Sequence, residues 1–162
     1  MATINKNLSS YDFESISNAE SFKFGIVVSQ WNKSITEKLY QGVLETLKHH
    51  GVSKENIMSY DVPGSFELIY GCKIMQKQNV DAIIAIGSVI KGETKHFDFV
   101  CHAVSQGIKD LNISHDIPVV FCVLTDDTIE QAEARSGGKH GNKGVEAAVT
   151  AIKMAELKHN IS

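Results

Sequence analysis

The 162-residue sequence predicts an α/β fold in which one parallel β-sheet lies between two layers of helices. Three short apolar runs rich in β-branched residues are typical of strands buried on both faces, and they occur at Phe24–Ser29, Ala82–Gly87 and Val119–Leu124. Segments with helical periodicity separate these runs. Because parallel strands need crossover connections, the alternation of strands and helices indicates βαβ units and a three-layer sandwich.

A fourth strand is predicted over residues 56–62, near an edge of the sheet, because it is less apolar than the others. The clearest helix has apolar residues every four positions from Ile35 to Leu47, with a capping box at Ser34–Glu37 and a C-terminal glycine, Gly51. Apolar stripes predict two more helices, and two shorter ones complete the set: Phe97–Leu111, Val145–Ala155, Ser65–Gln78 and Asp127–Arg135, the last opened by Asp127 and Glu130.

The chain divides into an arm and a single domain. Residues 1–21 are polar, and we expect them to form an arm outside the core that lies across a neighbouring subunit, whereas residues 22–159 form one domain. A secretory signal pattern and an apolar run of bilayer length are both missing from the sequence, which predicts a cytoplasmic protein that does not enter the membrane. The net charge of -3 argues against nucleic acid as a partner.

The cysteines and histidines do not show the spacing of a metal site. Cys72, Cys101 and Cys122 lie in apolar stretches without a CxxC pair, which predicts reduced thiols in the core. Zinc-binding histidine patterns are also missing, so we expect no metal. His49 and His50 come at a helix end, where a cation complements the helix dipole, and are predicted to be surface groups.

Ligands of open parallel sheets bind outside the carboxyl ends of the strands, so the residues that follow each strand are candidates for a site. Trp31 follows the first strand, where its ring could stack on a planar heterocycle or could anchor the core or an interface. Residues 63–67 bring backbone N–H groups, a hydroxyl and a carboxylate to a helix start. This set suits a polyhydroxyl or ureide ligand, although a helix cap explains Ser65 equally well.

The segment Gly87–His96 joins a buried strand to a helix through Gly92, and a free helix N-terminus at this position favours phosphate. An ordinary βα turn is the alternative. His96 falls in the first turn of the helix and could transfer protons during carbonyl chemistry, or could be a cap or surface residue. Arg135 and Lys143 flank a Gly-rich run and could bind phosphate, or could be solvated surface charges.

In combination these segments resemble the lumazine synthase family over Phe24–Leu157. The resemblance is carried by Gly25–Val28 with Trp31–Asn32, by Val62–Glu67, by Ala85–Val100 and by Arg135–Gly144. It implies a flavodoxin-like sandwich with a four-stranded parallel sheet and a homo-oligomer built from pentamers. It also implies a transferase without metal or cofactor that joins 5-amino-6-(D-ribitylamino)uracil to 3,4-dihydroxy-2-butanone 4-phosphate, the penultimate step of riboflavin biosynthesis.

The resemblance also implies a role for each site residue. Trp31 stacks on the pyrimidine, Ser65, Phe66 and Glu67 hold the ribityl chain, Ser88, Val89 and Ile90 bind the uracil, Glu93 and Thr94 receive the ketose phosphate, His96 donates protons and Arg135 binds phosphate. Phe121 and Lys143, together with Arg135, are implied to come from the neighbouring subunit. Ser65 and Trp31 depart from the commonest family residues, within the range of the family.

Two other functions fit parts of the pattern. A non-catalytic carrier of flavin or lumazine could use the same stacking aromatic ring and polar loops, although it would need neither His96 nor Arg135. A flavodoxin-like signalling module would need an acidic pocket at the strand ends, for which Asp126 and Asp127 are the only indication. The sequence leaves open the size of the oligomer and whether riboflavin synthase is a partner.

Overall fold

A computed structural model describes residues 7–161 and confirms the predicted α/β architecture. Its main sheet has four parallel strands in the order β2-β1-β3-β4. The strands are β1 (Phe24–Ser29), β2 (Ile57–Val62), β3 (Ala82–Ile90) and β4 (Val119–Asp126). The three continuous apolar runs of the sequence are β1, β3 and β4, and β3 extends beyond its run by three residues that lead towards the candidate site.

Five α-helices connect and cover the sheet within the described residues. They are α1 (Lys33–His49), α2 (Leu68–Met75), α3 (His96–Ser114), α4 (Ile129–Arg135) and α5 (Lys143–Ile161). Helices α1 and α5 pack on one face of the sheet, and α2 and α3 pack on the other. In residues 7–161 every helix is too short or too polar to cross a membrane.

The two faces of the sheet form two hydrophobic clusters, which explains why the inner strands are apolar at nearly every position. Along β1, Ile26 packs towards α1 and α5, and the next residue, Val27, packs towards α2 and α3. Successive side chains of a strand point to opposite faces, so both faces are dry only if every residue is apolar. β2 is the exception, because Met58 and Tyr60 are exposed. The prediction of an edge strand is therefore confirmed for β2.

The predicted capping box of α1 is wrong. The helix begins at Lys33 after Asn32, whose φ of 55° is left-handed, and Ser34 lies inside the first turn rather than before it. The Asn32 side chain does not cap the helix. Its amide donates instead to the Ser88 carbonyl at 2.9 Å, so the start of α1 is fixed by a contact with β3.

The starts of two other helices also differ from the sequence prediction. Thr128, rather than Asp127, is the N-cap of α4, because its hydroxyl accepts from the Gln131 N–H at 3.4 Å. α2 begins at Leu68, three residues after the predicted Ser65, since the residues between them form a turn. The Gly-rich run before α5 forms a small antiparallel hairpin that was not predicted, with strands β5 (Ser136–Gly138) and β6 (Gly141–Asn142).

Part of the predicted N-terminal arm belongs to the core of its own chain. Ile16 and Ala19 are buried in the cluster formed by α1 and α5, and the Ala19 N–H donates to the His50 carbonyl at 2.8 Å. The core therefore begins before residue 22. This packing also covers His50, which is 4% exposed, so the prediction of a surface group is wrong for His50. Residues 1–6 of the arm lie outside the described part of the chain.

The thiol prediction holds for two of the three cysteines. All three are free, and Cys72 and Cys122 are buried, whereas Cys101 is half-buried on α3. Burial raises the pKa of both the Cys72 and the Cys122 thiol to about 12. Because the thiolate is the reactive form, these two side chains act as small apolar core residues.

Candidate active site

The loop after β1 is fixed against both neighbouring strands at the carboxyl edge of the sheet. Ser29 pairs with Val62 of β2, and the Gln30 N–H continues this pairing by donating to the Val62 carbonyl at 2.9 Å. Asn32 ties the same loop to Ser88 of β3. Trp31, between these two anchors, is 71% exposed. A rigid loop therefore presents an open aromatic ring at the strand ends.

The loop after β2 approaches Trp31 closely at Gly64. A Cβ atom added to Gly64 would lie 2.8 Å from Glu67 Oε2 and 3.4 Å from Trp31 Cδ1, so the carboxylate and the indole flank this glycine. Phe66, in the same loop, is 53% exposed. The absence of a side chain at Gly64 lets the Glu67 carboxylate and the Trp31 ring approach each other here.

Three buried serine hydroxyls at this edge have no hydrogen-bond partner among the described residues. They belong to Ser29 at the end of β1, Ser65 in the loop after β2 and Ser88 inside β3, two residues before its end. The Ser65 Oγ lies 2.7 Å from where a Cβ of Gly87 would be, so it faces the glycine of β3 and does not cap α2. Buried hydroxyls are normally satisfied, so these three are available to water or a ligand.

The connection from β3 to α3 is open to solvent. Val89 and Ile90 are half-buried at the end of β3, whereas Glu93, Thr94 and His96 are exposed. α3 begins at His96, whose N–H donates to the Thr94 hydroxyl at 3.3 Å, so the predicted position in the first turn of the helix is confirmed. An imidazole and the positive end of a 19-residue helix are thus accessible together.

Arg135, the last residue of α4, lies next to the buried Asp126 carboxylate at the carboxyl end of β4. Its Nη1 is 3.7 Å from Asp126 Oδ1 and donates to the Gln131 carbonyl at 3.0 Å. Asp126 pairs with Ile90 of β3, so this arginine belongs to the same edge of the sheet as the loops of β1 and β3. Burial raises the pKa of the Asp126 carboxyl, while the Arg135 guanidinium lowers it and Asp127 raises it further.

Phe121 and Lys143 form a second group away from this edge. Both line a cavity of about 370 Å³ between β4 and α5. Phe121 lies five positions before Asp126 on β4, about 17 Å along the strand. The Lys143 ammonium is 2.6 Å from Glu146 Oε1. Within one chain, these two residues are therefore together but apart from Trp31, Glu67 and His96.

Residues 7–161 contain no group of three or more His, Cys, Asp or Glu side chains that could hold a metal ion. The polar groups at the strand ends are hydroxyls, a carboxylate, an imidazole and a guanidinium. This set can bind a polyhydroxyl ligand, transfer protons and bind an anion. The expectation of a site without metal or cofactor stays a prediction.

Ser29 and Gly64 lie in segments that the sequence places at this edge, but neither residue was predicted to have a role in the site. Ser29 could have been recognised as the last residue of a strand buried on both faces, because a buried hydroxyl is unfavourable unless it forms a hydrogen bond. The close approach at Gly64 depends on contacts between two loops, for which the sequence carries no local signal.

The fold and this site define an α/β protein with exposed aromatic rings and unpartnered hydroxyls at the carboxyl edge of a parallel sheet. The profile of the 6,7-dimethyl-8-ribityllumazine synthase family matches residues 21–159. The chain belongs to this family.

Individual relatives are similar over nearly their whole length. The 6,7-dimethyl-8-ribityllumazine synthase of Christiangramia forsetii is 65% identical over 160 residues, which is 98% of this chain and 95% of the relative. The protein of the same name from Flavobacterium johnsoniae is 62% identical, covering 100% and 86% of the two chains. That from Parabacteroides distasonis is 55% identical, covering 97% and 99%.

Proposed function

We propose that the chain is a 6,7-dimethyl-8-ribityllumazine synthase that condenses 5-amino-6-(D-ribitylamino)uracil with 3,4-dihydroxy-2-butanone 4-phosphate. The observation that carries the proposal is that Trp31, Glu67 and three unpartnered serine hydroxyls lie at the same carboxyl edge of the sheet, in a chain that belongs to this family. The pyrimidine substrate is a flat ring with a polyhydroxyl tail, and it needs the same combination of stacking surface and hydrogen-bonding groups.

The pyrimidine is proposed to bind between the loops of β1 and β2 and the end of β3. Trp31 stacks on its ring, because the indole is exposed on a loop that is fixed at both ends. The ribityl hydroxyls bind the residues of the β2 loop, and the uracil edge binds the end of β3. These residues are Ser65, Phe66, Glu67, Ser88, Val89 and Ile90.

The ketose phosphate is proposed to bind between the start of α3 of one subunit and Arg135 of its neighbour. Glu93 and Thr94 precede the open helix N-terminus, where backbone N–H groups and the helix dipole favour a phosphate. The Arg135 guanidinium can bind the same group bidentately and stabilise it as it leaves. His96 transfers protons to and from the reacting atoms.

The proposed reaction needs only proton transfers and positioning. The substrate amine adds to the ketone and loses water to give an imine, and a proton removed from carbon allows elimination of phosphate. Attack of the second nitrogen then closes the ring with loss of water. Holding the two substrates next to each other supplies much of the rate, because it removes the entropy cost of their encounter.

We propose further that the active site is shared between subunits of a homo-oligomer built from pentamers. Phe121 and Lys143 are the residues that require this, because within one chain they line the cavity between β4 and α5 and do not lie at the strand ends. A neighbouring subunit could bring both residues, and its Arg135, to the strand ends. A cytoplasmic location and an arm contact with a neighbour complete the proposal.

The test is to mix the purified full-length protein with the two substrates and record lumazine fluorescence. Product formation supports the enzyme, and a protein that carries a yellow chromophore but forms no lumazine supports the carrier. Light scattering of the same sample tests the oligomer, since a monomer would exclude a shared site. Mixing Lys143→Ala and His96→Ala subunits gives a sharper test, because sharing predicts partial recovery of activity in mixed oligomers.

A further inference from the structure

The carboxyl end of β4 carries a buried carboxylate that the proposed mechanism does not use. Asp126 is 6% exposed, and its Oδ2 has no hydrogen-bond partner among the described residues. Arg135 is the cation paired with it, and the Arg135 side chain is 40% exposed. A buried charge with an unsatisfied oxygen is costly unless a cation compensates it. The free energy of the Asp126 carboxylate therefore depends on the Arg135 guanidinium.

A different contact holds the orientation of Arg135. Its Nη1 donates to the Gln131 carbonyl at 3.0 Å, whereas the 3.7 Å to Asp126 exceeds hydrogen-bond length. Gln131 is itself fixed, because its N–H donates to Thr128 and its side-chain oxygen accepts from the Asp127 N–H at 2.9 Å. The guanidinium is thus oriented without Asp126, and Asp126 acts on it mainly through charge.

The other charged groups around Asp126 do not replace Arg135. Asp127 is exposed and is paired with Lys91, whose Nζ is 3.2 Å from Asp127 Oδ1. Lys91 contacts Asp126 through its main-chain N–H, which donates to the Asp126 carbonyl at 3.0 Å. An anion bound to Arg135 would take up the charge that now compensates Asp126 and would repel the carboxylate as well.

We propose that Asp126 is a specificity-determining residue whose negative charge limits the affinity of Arg135 for anions, so that anion binding at Arg135 is coupled to proton uptake by Asp126. By linkage, the anion raises the affinity of Asp126 for a proton by the same factor as protonation raises the affinity for the anion. The nature of the natural anion, a phosphate ester, rests on the proposed function. The coupling between Arg135 and Asp126 does not.

The experiment measures binding of inorganic sulfate to the full-length protein by titration calorimetry, because sulfate keeps the same charge across the neutral pH range. Asp126→Asn preserves the size of the side chain and removes its charge. We expect this variant to bind sulfate about 5- to 10-fold more tightly at neutral pH. Wild-type affinity should increase as pH falls and approach that of the variant, whose own affinity should vary less with pH.

Two matched variants isolate the pair. Asp127→Asn removes the adjacent exposed carboxylate and should leave sulfate affinity nearly unchanged. Adding Arg135→Ala to Asp126→Asn should abolish the gain. In the unmodified protein, sulfate binding in two buffers of different ionisation enthalpy should reveal proton uptake, which tests the coupling even if a variant folds poorly.

The proposal is overturned if Asp126→Asn binds sulfate no more tightly than wild type, if Asp127→Asn gives an equal gain, or if neither wild type nor Asp126→Asn binds sulfate. The same variants assayed with both substrates separate this idea from the proposed function. If Asp126→Asn binds sulfate more tightly but no lumazine forms, the proposed function is excluded and the coupling stands. If lumazine forms but Asp126→Asn binds sulfate no more tightly than wild type, the proposed function stands and the coupling is excluded.

Discussion

The Tyr11 hydroxyl lies 3.1 Å from Nε2 of His50 and joins the N-terminal segment to the end of α1. The Phe13 ring stacks on the same imidazole, with the ring centroids 4.6 Å apart. Burial, and secondly the charge of His49, lower the pKa of His50. The folded state therefore favours the neutral imidazole.

This relationship predicts how stability depends on pH. An imidazole with a lowered pKa binds fewer protons in the folded chain than in the unfolded chain, whose histidines titrate near 6.5. The stability contributed by neutral His50 should be complete above about pH 6.5 and should be lost as pH falls through the lowered folded pKa. Urea unfolding followed by circular dichroism at fixed protein concentration should show a lower midpoint at acidic pH.

His50→Gln tests whether His50 causes that dependence. The variant should lose about 1 kcal/mol or more at neutral pH, because the contacts with Tyr11 and Phe13 change, and its urea midpoint should vary less between neutral and acidic pH. His102→Gln on α3 is the control, since His102 is exposed. An unchanged pH dependence in His50→Gln would assign the effect to other groups.

The packing of α1 against α5 predicts a strong effect of a single methyl group. A Cβ at Gly144 would overlap the Leu39 carbonyl oxygen, which is main chain and cannot rotate away. Gly144→Ala should therefore lower the free energy of unfolding by about 3 kcal/mol or more. Gly92→Ala is the matched control, because nothing lies within 4 Å of its Cβ position. Equal denaturation midpoints for the two variants would show that α1 and α5 do not pack this closely.

The sequence predicts the sheet well because the signal for each of the strands β1, β3 and β4 is local. β1, β3 and β4 must be apolar at nearly every position to be dry on both faces, and no long-range contact is needed to recognise that. The same local signal predicts where each strand ends, and therefore which residues follow it. The order of parallel strands then brings Trp31, Glu67 and Ser88 to one edge.

The errors of prediction occur where a distant contact decides the local structure. Ser34 has the sequence of an N-cap, but the bond between Asn32 and Ser88 sets the start of α1. His50 lies in a helix end that looks solvated, and residues from the N-terminal arm cover it. Phe121 lies in a run that predicts burial, although β4 is an edge strand and leaves this ring accessible.

Trp31 provides a direct signal for pyrimidine binding, because it is the only tryptophan of the chain. If its exposed ring stacks on the substrate, titration with the pyrimidine should change its fluorescence. Trp31→Ala should weaken pyrimidine binding by about 1–3 kcal/mol, the usual contribution of a base stacked on an aromatic ring. Trp31→Phe should retain most of the affinity. Equal losses in both variants would argue for a structural role of the indole.

Arg135→Ala should raise KM for the ketose phosphate more than KM for the pyrimidine, because only the former carries the phosphate. A loss of one charge-assisted pair corresponds to about 1.5–3 kcal/mol, or roughly 10- to 150-fold in KM. Arg135→Lys should recover part of the loss, since it restores the charge but not the bidentate geometry. Steady-state kinetics with each substrate varied in turn provide the comparison. An equal rise in both KM values would contradict the assignment of Arg135 to the phosphate.

His96 begins α3 and is exposed, so it can reach a substrate at the strand ends without a change of the main chain. His96→Ala should lower kcat by about 10²-fold or less, because positioning of the two substrates supplies most of the rate and water can replace a proton donor in an open site. His102→Ala, on the same helix, should leave kcat nearly unchanged. A loss beyond about 10⁴-fold would show that proton transfer, and not positioning, dominates the reaction. Full activity of His96→Ala would show that the imidazole has no part in the rate-limiting step and that another group donates the proton.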